Sequence, residues 1–232
     1  MSSSTSKIQL DRLAHVHYLH PDLNKIHKFL LDFGFEVVEE TPTKKYYGGF
    51  GSQPYLYIAE ASPDAKRHFV GGAWVVSSHQ DLERASQLSG ATSIKDASGP
   101  GGGKTVVLKD PWNFEISLHF GQKESPYEQK PETVIINTAQ TKPRKGEFQR
   151  FKKGPSKLHK LGHYGLVVPT AEFLKVREWY STTFNLAVTD SIFNPETGED
   201  ETSFLHVDKG EEFSDHHVGG TGVLDVQHAG WC

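Results

Sequence analysis

Two histidines stand at matching places in a stretch that the chain writes twice. Leu13-Ala14-His15-Val16-His17-Tyr18-Leu19-His20-Pro21 lines up with Leu161-Gly162-His163-Tyr164-Gly165-Leu166-Val167-Val168-Pro169. A strand histidine repeated in register suggests a duplicated module that presents imidazole ligands to a metal from a sheet. Asp215-His216-His217 puts two imidazoles side by side, and imidazole titrates near neutrality. Each group also has a plainer reading. His15 and His163 could be strand residues satisfied by backbone carbonyls, and Glu115 a partly buried carboxylate served by hydrogen-bond donors. His217 could be an exposed loop residue and His216 an orienting or surface neighbour. The chain holds 13 histidines, so position has to discriminate among them. His17 and His20 read as strand-face residues, with His20 at the strand end beside Pro21.

The elements that must position these groups follow from periodicity. Leu10 to Leu19 reads as a strand, and Asp22 through Phe33 as a helix with Leu23, Ile26, Phe29, Leu30 and Phe33 on one face, closed by Gly34. Strands are expected at Phe35–Glu39, Pro54–Ala59 and Phe69–Val76, and a second helix at Asp81–Leu88. Lys104–Leu108 and Phe114–Phe120 form a hairpin around Asp110-Pro111-Trp112-Asn113. This is a βαβββ pattern twice over within residues 8–121. Residues 122–157 are polar and Pro-rich apart from Val134-Ile135-Ile136 and read as a linker, an extended arm across the surface. Residues 158–232 begin a second unit: the strand Leu161–Val168, a helix carrying Phe173, Leu174, Val176, Trp179 and Tyr180, then strands at Leu186–Thr189 and Thr202–Val207. After Val218 the glycine-rich tail lacks an amphipathic period, so the second unit reads as incomplete and His228 does not read as a buried-strand residue.

Composition sets outer bounds. A chain of 232 residues buries one large or two small cores. Its net charge of −4 does not suggest a nucleic-acid surface. The one cysteine, Cys232, together with a polar N-terminal stretch and no long apolar run, predicts a cytoplasmic protein without membrane partners. Gly101-Gly102-Gly103-Lys104-Thr105 is not a phosphate loop, because Ser98 stands where that pattern needs glycine and a strand follows instead of a helix.

Tandem βαβββ modules opening on a strand histidine resemble the vicinal oxygen chelate superfamily of glyoxalases, bleomycin-resistance proteins and extradiol ring-cleaving dioxygenases. The doubled strand, the segment from Gly101 to Ile116 with its Asp110-Pro111 hairpin, and Asp215-His216-His217 carry the resemblance. It implies an α+β fold of curled mixed sheets, the second domain truncated. It implies Fe(II), or Mn(II) or another divalent ion, held by two histidines and a carboxylate, with a catechol-type aromatic and O2 as substrates. His163 matches the first metal ligand and His217 the acid/base histidine. His15 and Glu115 occupy ligand-like positions in the first domain, where Val70-Gly71-Gly72 offers no histidine between them. Two other outcomes are a glyoxalase-like isomerase or lyase using a divalent metal, and a metal-free or inactive member of the family. Unfinished sheet edges suggest a homo-oligomer.

Overall fold

The computed structural model describes residues 6–126, 135–148, 150, 153–210, 216–221 and 228–231, the last two stretches by their backbone. Val134, Asp215 and residues 222–227 of the glycine-rich tail lie outside the described residues.

The first unit is one mixed sheet of eight strands. In chain order the elements are β1 (Leu10–His20), α1 (Leu23–Phe33), β2 (Glu36–Glu40), β3 (Lys44–Gly48), β4 (Tyr57–Ala61), β5 (His68–Val76), α2 (His79–Ser86), β6 (Lys95–Asp96), β7 (Lys104–Lys109) and β8 (Glu115–Phe120). They lie in the order β2-β3-β4-β1-β5-β8-β7-β6. β1 pairs with β4 in parallel, β5 with β8 in parallel, and β1 joins β5 antiparallel. Two βαβββ modules thus meet along their opening strands. β3 and β6 were not anticipated. β3 reads Lys-Lys-Tyr-Tyr-Gly and β6 has two residues, too little for a period-2 pattern to register.

α1 carries its own punctuation. The Asp22 carboxylate accepts from Asn24 N and Lys25 N at the N-terminus. At the other end Gly34 has φ of 122°, and a Cβ there would lie 1.9 Å from the Ser156 carbonyl oxygen. Only glycine fits. The expected apolar face is narrower than its composition suggests. Leu30 is buried, and Leu23 and Ile26 pack against the core, but Phe29 is 60% exposed and stacks on Phe33 at the surface. Successive helical residues turn about 100°, which carries Phe29 off the stripe centred on Leu30.

The second unit contains β9 (Leu161–Val168), α3 (Thr170–Thr183), β10 (Leu186–Phe193), β11 (Asp200–Val207), β12 (His216–Thr221) and β13 (His228–Trp231). Their order is β10-β11-β12-β9-β13. β12 pairs with β9 in parallel and so completes a third βαβββ module. β13 pairs with β9 antiparallel, the relation that β5 bears to β1. The tail around His228, not expected to be a strand, therefore occupies the opening-strand position of a further module. Its pairing partner supplies the ordering that a four-residue segment cannot signal by itself.

One continuous core joins the units. Tyr164 of β9 packs on Trp74 of β5, their ring centroids 6.0 Å apart. Gly72 makes this approach possible, since a Cβ there would lie 2.6 Å from Tyr164 Cζ. Gly72→Ala is expected to cost about 1–3 kcal/mol through overpacking, read as a lower urea midpoint. An unchanged midpoint would mean that the Tyr164 ring yields freely. Asp110 adds a polar tie: Oδ1 accepts from Trp112 N and Phe114 N, closing the β7–β8 turn, while Oδ2 accepts from Tyr180 OH of α3. Parts of the segment expected to be a linker also dock on the first unit, where Ser156 N donates to Phe33 O and Ser125 N to Ser52 O. No helix among the described residues is long and apolar enough to cross a membrane.

Candidate functional site

Period-2 alternation gives the first sheet a polar concave face. On β8, Ile116 and Leu118 enter the core while Glu115, Ser117 and His119 line a cavity of about 180 Å³. On β7, Val106 and Leu108 are core, and Thr105 and Val107 face that cavity. His15 and His17 reach it from β1, and Tyr46, Tyr55 and Ile58 complete a wall. His15 and Glu115 therefore share one cavity, as their strand positions suggested. His119 was missed, and the signal for it was available: it lies four residues beyond Glu115 on one strand, hence on the same face.

His15 and His119 are 4% and 5% exposed, with ring centroids 5.2 Å apart, and His15 also leans on Tyr55 at 4.5 Å. Neither ring nitrogen of His119 has a hydrogen-bond partner among the described residues. Burial, then the neighbouring His119 and His17, hold the His15 imidazole well below the usual histidine range. Burial alone brings His119 down to about 4. At the cavity's partly exposed end, His17 Nε2 and Lys44 Nζ both contact Glu60 Oε2, at 2.8 and 2.9 Å. His20, read as a strand-end residue, is buried and hydrogen-bonds Tyr57 OH at 2.7 Å. Among the described residues no three His, Cys, Asp or Glu side chains converge as a metal cage. The His15–Glu115 pair is thus not completed into one by the structure.

The depressed imidazoles make stability fall in acid. An unfolded His119 takes up its proton near pH 6.5, whereas the folded one resists until about pH 4. Between these values the unfolded state binds more protons, so stability is full above pH 6.5 and declines as pH falls towards 4. At 1.36 kcal/mol per unit, His119 accounts for roughly 3 kcal/mol of that loss. Urea unfolding at a series of pH values should show it, with a flatter profile in His119→Leu. Parallel profiles for the two proteins would refute the assignment.

The second unit brings histidines together by backbone register. β9 lies between β12 and β13. His163 pairs with His216 on one side and Gly230 on the other, His217 pairs with Tyr164, and His228 pairs with Gly165. The histidine positions of three adjacent strands thus fall within two residues of one another along β9. His163 itself is half-buried and engaged in a contact of its own.

No protein-family model and no curated protein sequence matches the chain. Solved structures do match. The Mn(II)-bound glyoxalase from Novosphingobium aromaticivorans aligns with a TM-score of 0.71 at 12% identity, over 93% of this chain and 63% of that one. Homoprotocatechuate 2,3-dioxygenase from Arthrobacter globiformis aligns with a TM-score of 0.74 at 15% identity, over 98% and 65%. The Brevibacterium fuscum enzyme in complex with 3,4-dihydroxyphenylacetate aligns with a TM-score of 0.67 at 17% identity, over 93% and 61%. The chain shares the fold of these glyoxalase and dioxygenase structures, α+β with curled mixed sheets, and spans less than two thirds of their length.

Proposed function

We propose that the chain is of the extradiol dioxygenase line and uses a divalent metal, Fe(II) in the first instance, to open a catechol-type ring beside its hydroxyls. The observation that carries this reading is the convergence of the His163, His216 and His228 positions on one face of three adjacent strands. His163 and His228 would be the imidazole donors, a ligand type suited to Fe(II) and Mn(II) sites with open positions. Such a site needs a third donor, which is left unassigned. His15 and Glu115 line the other unit's cavity and form no part of this site. A bound Fe(II) would supply Lewis acidity and a path for electrons between aromatic substrate and O2. His216, in register with His163, would take and return the proton of a substrate hydroxyl near neutral pH. His217, expected from the sequence to do so, is in register with the core residue Tyr164 and falls on the alternate face.

The test is elemental analysis of protein purified without oxygen, with O2 uptake measured on a simple catechol. Near-stoichiometric iron and catechol-dependent uptake support the proposal. Absence of metal after Fe(II) addition leaves a metal-free binding protein. The similarity to a Mn(II)-bound glyoxalase favours a second reading, an isomerase or lyase acting on thiol adducts or small carbonyl compounds. It predicts metal-dependent turnover of such compounds without O2 consumption.

A further inference from the structure

The first unit's cavity has a size, a wall and an unmet polar demand that together describe an occupant. Its volume is about 180 Å³, and a protein cavity of about 150 Å³ admits benzene, so one six-membered ring fits. Tyr46 and Tyr55 meet edge to face at 5.1 Å, and His15 tilts against Tyr55 at 4.5 Å. Such rings favour a further flat, polarisable partner at similar spacing. Buried polar groups are ordinarily paired, yet His119 Nδ1, His119 Nε2 and Thr105 Oγ1 have no partner among the described residues. An uncharged imidazole offers one donor and one acceptor, and a hydroxyl can answer either. The cation on the lining, Lys44, is already paired with Glu60, and Glu115 adds a carboxylate. An anionic ligand would find little to balance it.

We propose that this cavity is a second, metal-independent binding site for an uncharged, single-ring hydroxy-aromatic molecule, whose ring lies against Tyr55 and Tyr46 while the His119 and Thr105 side chains, their polar atoms otherwise covered, turn to meet its hydroxyl. The site is in a different unit from the histidines of β9, β12 and β13 and stands whether or not those hold a metal.

The experiment uses the full chain, stripped of metal with a chelator and labelled with 15N-histidine, and titrates it with phenol and separately with toluene. Phenol should move the His119 ring-nitrogen resonances saturably. Toluene, which has the ring without the hydroxyl, should bind about tenfold or more weakly, the worth of about one hydrogen bond. Thr105→Val and His119→Leu should each weaken phenol by a similar factor, and His163→Ala should leave it unchanged. Should His119→Leu fail to fold, the wild-type resonances and Thr105→Val still decide. Unmoved His119 resonances, equal affinity for toluene, loss of phenol binding in His163→Ala, or a response of His119 to Zn(II) in place of phenol would each overturn the site.

Discussion

Replacing His163 with alanine is expected to lower Fe(II) affinity at least about 100-fold and to abolish catechol-dependent O2 uptake. Even a residue that merely hydrogen-bonds a ligand commonly alters affinity 10–100-fold, so removing an imidazole donor should do no less. His163 is half-buried on β9, between the strands carrying His216 and His228. A half-buried polar site tolerates truncation, so the metal-free protein should lose less than about 1 kcal/mol in urea unfolding. His228→Ala should reproduce the loss of metal, and His15→Ala should not. Iron retention by His163→Ala equal to wild type would exclude this ligand role. Retention by His163→Ala with loss in His15→Ala would move the metal to the first unit.

The largest stability effect is expected at Asn185, at the joint between the units. Its Oδ1 accepts from Leu10 N at 2.7 Å, and its Nδ2 donates to Leu10 O and Asp208 O at 3.2 and 3.1 Å. The main chain reinforces the joint, since Asn185 N donates to Ile8 O and Ile8 N to Thr183 O. Leu10 is fully buried. Asn185→Ala therefore strands a buried amide and a buried carbonyl, each costing about 1–3 kcal/mol, so a total loss of about 2–6 kcal/mol is expected. Urea unfolding should show that loss as an earlier transition. A loss below about 1 kcal/mol would mean that water replaces the side chain and that the joint is wetter than its burial implies.

The amino-acid sequence by itself determined the elements whose signals are local. Asp22 and Gly34 bound α1 because a capping carboxylate and a positive-φ glycine act within a few residues of the helix they close. Asp110 marks the β7–β8 turn for the same reason, its carboxylate holding amides two and four residues on. The doubled strand at His15 and His163 announced the repeated module, and Glu115 announced a face of β8. Tertiary structure alone decided which strands become neighbours. Antiparallel pairing of β1 with β5 and parallel pairing of β5 with β8 bring His15 against His119, and pairing of β13 with β9 makes the His228 segment a strand. Strand pairing is non-local, and a slip of one residue sends every side chain to the opposite face. The places of His15 and His163 in their strands are therefore legible in the sequence, while the histidines they meet are settled only when the sheets close.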